Sequence, residues 1–197
     1  MILPRSFYLR DDVVAIARDL LGKYIVTTYN GQYTAGIITE TEAYAGITDR
    51  ASHAYGGRNT HRTEVMFRQG GIAYVYLCYG VHSLFNVVTN HEGIPHAILV
   101  RAIEPAEGIE VMEKRQGKIY SGKHFADGPG KLTKALGIHY NQSGADLCIS
   151  ANDIRANKMW IEERSTISLG KQIIVTPRIG VSYAGEDALL PFRFLSE

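Results

Sequence analysis

Residues 23–44, KYIVTTYNGQYTAGIITETEAY, decide the fold. Two runs rich in β-branched and aromatic residues flank Asn30-Gly31, and this dipeptide between such runs is the strongest short-range signal for a β-hairpin. The stretch therefore predicts two antiparallel strands. The second strand ends in TETEAY, which places two acids, Glu40 and Glu42, at its carboxyl end. Strands seldom bury carboxylates, so these two acids need an explanation.

The sequence on both sides of the hairpin supplies more strands than helices. Residues 11–21 have the apolar spacing of a helix, with Asp11 as its cap and Gly22 at its end. Further along, the patterns predict strands at 71–80, 83–90, 96–105, 158–163, 171–181 and 191–197, helices at 105–116 (starting at Pro105) and 128–138, and a mobile surface segment at 114–127. We therefore predict an α+β fold, a single domain over residues 1–197 with a curved, largely antiparallel sheet and a few surrounding helices.

Composition limits the classes of function. The 197 residues are 45% hydrophobic, which suits one globular core, and the twelve tyrosines against six phenylalanines suggest binding surfaces as well as core. With a net charge of +1, a nucleic-acid partner has to be argued from local clustering of charge. The isolated Cys78 and Cys148 indicate reduced thiols in the cytoplasm, and the sequence has no apolar run long enough for a membrane span.

The two acids at the strand end have two interpretations. By strand parity, Ile38, Glu40, Glu42 and Tyr44 should lie on one face. The ordinary interpretation is a solvated strand edge with a salt bridge, and the residues alone favour it because lone acids are mostly exposed. The functional interpretation is a general base beside an aromatic ring, placed just before a functional loop.

The aromatic residues suggest a stacking site. Tyr74 and Tyr76 share one face of a strand, and an ordinary core position explains Tyr74. Tyr79 precedes Gly80 at a hairpin tip, where an aromatic side chain is expected to protrude as a wedge. Tyr44 and Tyr76 are candidates for the two walls of a slot that holds a flat ring.

Basic residues cluster in a long loop over residues 45–71. Within it, residues 50–68 contain one acid, Glu64, and four arginines: Arg50, Arg58, Arg62 and Arg68. The loop is either a solvated charged surface or a rim that contacts phosphates. The seven histidines show no metal-binding spacing, so we predict neither a metal nor another cofactor.

The motifs of this sequence, taken in their order along the chain, resemble those of the alkyladenine (3-methyladenine) DNA glycosylases, which remove alkylated purines from DNA. The resemblance covers nearly the whole chain. It is carried by TETEAYAG (39–46), ASHAYGGRNTHR (51–62), MF (66–67), YVYLCYG (74–80), Asn86, LVRAIEP (99–105), GPGKL (128–132) and PRIGVSYAG (177–185). The chain differs from the mammalian relatives in Val81-His82 after the predicted wedge and in a longer loop at 90–97. A short start before the first helix fits a bacterial member.

The resemblance implies roles for individual residues. Glu42 becomes the general base, while Arg101 and the backbone carbonyl of Ile179 help to hold the water, and Glu40 keeps a structural role. The base pocket is formed by Tyr44, His53, Tyr76 and Asn86, the last of which would clash with the exocyclic amino group of normal guanine. Tyr79 is expected to enter the duplex, and the DNA backbone is expected to contact Arg58, Arg62, Arg68 and Lys131.

The implied activity is that of a monofunctional glycosylase acting as a monomer in the cytoplasm, in contact with the nucleoid. Its partner would be duplex DNA with a damaged purine: 3-methyladenine, 7-methylguanine, hypoxanthine or ethenoadenine. Two alternatives stay open. A free-nucleoside hydrolase would not need Tyr79 or the arginine-rich loop. A non-catalytic damaged-base or RNA-binding module would not need Glu42 together with Arg101.

Overall fold

The computed structural model describes residues 1–122, 124–150, 157–164 and 172–196. Its α-helices are α1 (Arg5–Tyr8), α2 (Val13–Asp19), α3 (Ile109–Gln116) and α4 (Pro129–Leu136). Its strands are β1 (Tyr24–Tyr29), β2 (Gln32–Tyr44), β3 (Ile72–Cys78), β4 (His82–Thr89), β5 (His96–Glu107), β6 (Lys158–Glu162), β7 (Ile173–Thr176) and β8 (Arg193–Ser196). Short 3-10 helices lie at Gly46–Thr48, Tyr55–Gly57, Glu64–Phe67, Tyr140–Gln142 and Ser182–Leu189.

The described strands form one open eight-stranded sheet, and every pairing between them is antiparallel. The main strand order is β3-β4-β5-β2-β1-β6, with β8 pairing with both β2 and β7. The predicted α+β class with an antiparallel sheet is confirmed. None of the helices in the described ranges has the length and apolar character needed to cross a membrane.

The two faces of the sheet are covered differently. Along β3, Ala73 and Val75 point into the main core, where α2 and α4 pack against the sheet. Their neighbours Tyr74 and Tyr76 point to the opposite face, because successive side chains of a strand alternate. That face is covered by the loop at residues 45–71, which forms three short 3-10 turns. The candidate site lies on this loop-covered face.

The predicted hairpin forms as a two-residue turn between β1 and β2. Tyr29 pairs with Gln32, and both turn residues have positive φ, 52° at Asn30 and 72° at Gly31. Two positive φ values define the turn that matches the twist of the flanking strands, and Asn-Gly adopts it with little strain. The hairpin therefore fixes the register of the long strand that carries the two acids.

An irregularity in β2 corrects the parity argument. The register with β5 runs Ile38↔Ile103, Glu40↔Ala102 and Thr41↔Val100, which leaves Thr39 on one strand and Arg101 on the other as extra residues. Ile38 and Ala43 consequently both lie in the main core although their positions differ in parity. The expectation that Ile38 shares a face with the two acids is wrong, because a bulge reverses the alternation.

The first predicted helix is shorter than its apolar pattern. It begins at Val13, and the cap is Asp12 rather than Asp11. The Asp12 carboxylate accepts hydrogen bonds of 2.9 Å from the backbone amides of Val14 and Ala15. A carboxylate at this position satisfies amides that have no partner within the helix.

The helix predicted from Pro105 starts later. Pro105 belongs to β5, opposite Gly36, where the register with β2 is shifted, and α3 begins at Ile109. A proline cannot donate to a strand ladder, and an irregular ladder tolerates one. Gly108 then makes the turn into the helix with a φ of 69°.

Two segments in the second half differ from their predictions. Residues 114–116 of the predicted surface segment 114–127 belong to α3, and Phe125 and Ala126 are buried. The exposed part of the segment is therefore centred on 117–122. Residue 123 lies outside the described residues. The run 171–181 is a strand over Ile173–Thr176, after which Pro177 ends it. Residues 171 and 197, at the ends of predicted strands, also lie outside the described ranges.

Candidate active site

A cavity of about 350 Å³ opens beside the carboxyl end of β2. This volume is within the range that small-molecule sites occupy. Seven residues named from the sequence line it: Tyr44, His53, Tyr76, Tyr79, Asn86, Arg101 and Ile179. They come from β2, β3, β4, β5 and three loops, so the fold assembles them from distant parts of the chain.

Glu42 lies behind this lining with no exposed surface. Its Oε2 atom accepts hydrogen bonds from the Tyr44 hydroxyl at 2.8 Å and from Arg101 Nη1 at 3.3 Å. Its Oε1 atom accepts one from the backbone amide of Ile179 at 2.8 Å. Three donors from three elements fix the orientation of the carboxylate. Ile179 thus contacts Glu42 through its backbone N–H. The water-holding role that the resemblance implies concerns a different atom of this residue, its backbone carbonyl oxygen.

Glu40 has a different set of partners. Its Oε1 atom accepts from Arg101 Nε at 2.9 Å and from Arg193 Nε at 2.5 Å. Arg101 therefore bridges both acids, and the bulge in the β2–β5 ladder is what directs its side chain toward them. The solvated-edge interpretation is wrong, because Glu40 is nearly buried and Glu42 completely so, although the salt bridges it expected are present.

Tyr44 forms one wall of the cavity and is coupled to Glu42. Burial, followed by the charge of the Glu42 carboxylate, raises the pKa of the Tyr44 hydroxyl well above its ordinary value of 10.0. The hydroxyl therefore stays protonated and donates a hydrogen bond to the Glu42 carboxylate. We call Glu42, Tyr44 and the arginine behind them, Arg178, the inner wall.

Arg178 is a residue that the sequence interpretation missed, as is its partner Asp49. The buried guanidinium of Arg178 makes two hydrogen bonds to the Asp49 carboxylate, at 2.5 and 2.9 Å, and its Cζ lies 4.8 Å from the centre of the Tyr44 ring. It also donates to the backbone carbonyl of Ala43 at 2.9 Å. The motif PRIG contained the signal, but only its isoleucine had been given a role.

The opposite wall consists of His53, Tyr76 and Tyr79, which we call the outer wall. The rings of His53 and Tyr76 are 4.7 Å apart, edge to face. Tyr74 supports them from the core: it is 2% exposed, as predicted, and its hydroxyl lies 2.9 Å from His53 Nδ1. Tyr74 also lines the cavity, a role that the sequence did not suggest.

His53 is neutral at physiological pH. Burial, with the charges of Arg62 and Arg58, lowers its pKa from 6.5 to about 4. Arg62 Nη2 donates to His53 Nε2 at 3.4 Å, and since a guanidinium cannot accept, the ring proton is on Nδ1. Nδ1 then donates to the Tyr74 hydroxyl oxygen. His53 offers a flat, uncharged ring to the cavity.

Tyr79 protrudes from the β3–β4 hairpin as predicted. It is 95% exposed and has a φ of 51°, and Gly80 follows with a φ of 71°. Val81, which follows Gly80, is also exposed beside it. The hairpin thus presents two apolar side chains to solvent at the mouth of the cavity, an arrangement suited to entering another apolar environment.

Asn86 lies on β4, between Tyr74 of β3 and Leu99 of β5. Its side chain is buried, and Nδ2 donates to the carbonyl of Tyr74 at 3.1 Å and to that of Leu84 at 3.4 Å. These bonds hold the amide in one orientation against the sheet. A fixed polar group on the cavity floor can select between ligands by their hydrogen-bonding edges.

The predicted basic residues are not all brought together. A cleft of about 370 Å³ adjoins the cavity, shares Ser52, His53 and Tyr183 with it, and contains Arg50, Arg58 and Arg62. Arg68 lies elsewhere, beside Gly144, and Lys131 is on α4 in an ion pair of 2.8 Å with Asp127. Among the described residues, no group of three His, Cys, Asp or Glu side chains is placed to hold a metal ion.

Comparison with known proteins places this site in a family context. A family model described as methylpurine-DNA glycosylase matches residues 6–197. The chain is 46% identical to a protein of Chlamydia abortus, over 98% of this chain and 97% of the relative. It is 44% identical to one of Desulfitobacterium hafniense (99% and 95%) and 46% identical to one of Methanocella arvoryzae (98% and 91%). All three relatives carry the provisional name 3-methyladenine DNA glycosylase.

Proposed function

The chain belongs to the methylpurine-DNA glycosylase family, and we propose that it removes alkylated or deaminated purines from duplex DNA by hydrolysing the N-glycosidic bond. The proposed substrates are 3-methyladenine, 7-methylguanine, hypoxanthine and ethenoadenine, and the product is an abasic site for base excision repair. The observation that carries the proposal is the position of Glu42, a buried carboxylate held by three donors behind an aromatic cavity.

The first step is extrusion of the damaged nucleotide. C1′ of a stacked nucleotide cannot be reached by an enzyme group, and flipping it out requires a few kcal/mol of unstacking and unpairing energy. Tyr79, exposed at the mouth of the cavity, fills the gap left in the duplex and offsets that energy. Its exposure in the free protein means that insertion needs no prior rearrangement.

The flipped purine then stacks between the two walls. Tyr44 lies on one side, and His53 with Tyr76 lies on the other. The tyrosine faces attract a cationic alkylpurine, each by on the order of 1 kcal/mol when desolvated. Asn86 excludes normal guanine through a clash with its exocyclic amino group.

Hydrolysis follows from the position of Glu42. The carboxylate accepts a proton from a water that Arg101 and the Ile179 carbonyl hold, and the water oxygen bonds to C1′ as the bond from C1′ to the purine nitrogen breaks. The bonding electrons leave with the purine. The negative charge of Glu42 also stabilises the oxocarbenium character that develops at the sugar. Lysine is absent from the described lining of the cavity, in keeping with a monofunctional enzyme that leaves the strand uncut.

The proposed partner is duplex DNA, bound by a monomer in the cytoplasm, at the nucleoid. In this proposal Arg58 and Arg62 contact phosphates beside the flipped nucleotide, and the support for it is that the cleft they line adjoins the cavity. Arg68 and Lys131 would contact the backbone farther from it. Phosphate contacts position the duplex without reading its sequence, as a repair enzyme requires.

The decisive experiment compares wild type, Glu42→Gln and Glu40→Gln on duplexes with a single hypoxanthine or 7-methylguanine. Released base is measured in single turnover, and abasic sites are detected by alkali cleavage. Glu42→Gln should lower the rate by about 10²- to 10⁴-fold, the contribution of a general base, while DNA binding is retained. Glu40→Gln should lose much less, because Glu40 contacts two arginines and not the water.

Other results would point elsewhere. Binding of damaged duplex without release by the wild type would indicate a recognition module, and release from free nucleosides would indicate a nucleoside hydrolase. Unchanged release by Glu42→Gln would remove this residue from the chemistry. A strand cut without alkali would contradict the monofunctional mechanism.

A further inference from the structure

Both tyrosine walls of the cavity carry a guanidinium on their outer side. The Cζ of Arg178 is 4.8 Å from the centre of the Tyr44 ring, and the Cζ of Arg62 is 4.7 Å from the centre of the Tyr76 ring. Neither arginine belongs to the described lining of the cavity. Each ring therefore separates a positive charge from the space where the base would stack.

The two arginines differ in how their charge is balanced. Arg178 is buried and paired with the Asp49 carboxylate, so that the two charges largely cancel at the cavity. Arg62 is exposed at the edge of the cleft, and in the described part of the chain no acidic side chain forms an ion pair with it. Its contacts there include the Tyr76 ring, Nε2 of His53 at 3.4 Å and the Tyr74 hydroxyl. The outer wall consequently carries a net positive charge.

A positive charge behind the wall acts differently on two kinds of purine. Between the duplex and the transition state, a neutral purine such as hypoxanthine gains negative charge as the glycosidic bond breaks. A cationic purine such as 7-methylguanine still carries part of its positive charge at that point. Through Coulomb interaction across one ring, a nearby guanidinium lowers the energy of the transition state for a neutral purine. It raises the energy of the transition state for a cationic purine.

We propose that Arg62 determines specificity, and that its guanidinium, stacked on Tyr76 and bonded to His53, biases the cavity toward neutral purines over cationic ones. The inference rests on the proposed function, because it concerns the same base site. It adds to the phosphate-contact role predicted for this arginine. The pKa of His53 is lowered first by burial and then by the charges of Arg62 and Arg58, so the Arg62 charge does act on the ring that faces the base.

Arg58 supplies a matched control. It lines the same cleft and carries the same charge, but its guanidinium is stacked on neither wall ring in the described contacts. Single-turnover release is measured for wild type, Arg62→Gln, Arg62→Lys and Arg58→Gln, on duplexes with hypoxanthine or with 7-methylguanine. Arg62→Gln should lower the ratio of the hypoxanthine rate to the 7-methylguanine rate by roughly two- to fivefold, the size of an exposed cation–π interaction.

The controls separate charge from phosphate contact. Arg62→Lys keeps the charge and should keep most of the wild-type ratio. Arg58→Gln should change the ratio less than Arg62→Gln does, because the Arg58 charge acts on His53 more weakly than that of Arg62 and Arg58 stacks on neither ring. Equal effects of Arg62→Gln and Arg58→Gln on the ratio would overturn the inference, because they would show that Arg62 acts on the backbone alone. An unchanged ratio in Arg62→Gln would overturn it as well.

A binding measurement tests the inference without catalysis. Duplexes with 2′-fluoro versions of the two nucleotides resist hydrolysis, because fluorine destabilises the oxocarbenium ion. Arg62→Gln should improve binding of the 7-methylguanine duplex relative to the hypoxanthine duplex by up to roughly two- to fivefold, because only the repulsion of the cationic base acts before the bond breaks. Failure of the wild type to release either base would contradict the proposed function, whereas equal relative affinities in wild type and Arg62→Gln would contradict the specificity role.

Discussion

The inner and outer walls of the cavity differ in burial and in the number of hydrogen bonds that hold their residues. In the inner wall, Glu42 and Arg178 are both buried, and each has several charged or hydrogen-bonding partners. In the outer wall, Tyr79 stands in solvent, and the exposed Arg62 behind this wall stacks on Tyr76 and bonds to His53 and Tyr74. The group proposed for chemistry is thus held by several hydrogen bonds, whereas the groups proposed to meet DNA are exposed to solvent.

The physical reason is the energy of burying charge. A buried carboxylate or guanidinium is tolerated only with a partner in good geometry, so a fixed general base requires a network around it. Exposed groups keep their hydration and need no such network, but they are ordered only on binding. The two walls should therefore respond differently to mutation: changes in the inner wall should affect folding stability as well as chemistry, whereas changes in the outer wall should affect binding and rate but not stability.

The largest effect on stability is expected from Asp49→Ala. The change leaves the buried guanidinium of Arg178 without its bidentate partner, and removing one member of a buried pair destabilises proteins by about 3–5 kcal/mol. Chemical denaturation followed by circular dichroism measures the change. Asp127→Ala is the control, because its pairs with Lys131 and His124 are at the surface, and it should change stability by about 1 kcal/mol or less. Similar stabilities for the two variants would contradict the prediction that the inner wall depends on this buried ion pair.

A smaller effect, on rate rather than on stability, is expected from Tyr79→Ala. Losing the wedge should slow release of hypoxanthine from a duplex by about 10- to 100-fold, since unstacking involves a few kcal/mol. Stability should stay within about 0.5 kcal/mol of the wild type, because the side chain is solvated. The deficit should shrink when the damaged base is mispaired, as less unstacking energy then has to be offset. A variant that unfolds more easily but releases the base at the normal rate would reverse the interpretation of the outer wall.

The outer wall was largely predictable from the sequence, and the inner wall was only partly so. Tyr79 was found because Tyr-Gly at a hairpin tip is a local signal, and the Asn30-Gly31 turn was local as well. The Arg178–Asp49 pair joins residues 129 positions apart, and no local pattern indicates that they meet. The resemblance singled out Glu42 and Arg101, but the three donors to Glu42 and the bulge that directs Arg101 emerged only from the folded sheet. Strand parity failed for Ile38 at that bulge, because one unpaired residue reverses every later side chain.

The smallest effect is expected at the rim of the outer wall, in the salt dependence of binding. Arg58 lines the cleft beside the cavity and, in the described part of the chain, forms no ion pair within the protein. If it neutralises one phosphate, Arg58→Ala should reduce the slope of log K against log salt by about 0.9. Lys131→Ala should reduce it less, because Lys131 already pairs with Asp127 and exchanges that partner for a phosphate. Affinities of the non-cleavable 2′-fluoro hypoxanthine duplex, measured over a series of salt concentrations, give both slopes. An unchanged slope for Arg58→Ala would remove this residue from the DNA interface and leave the cleft without its proposed role.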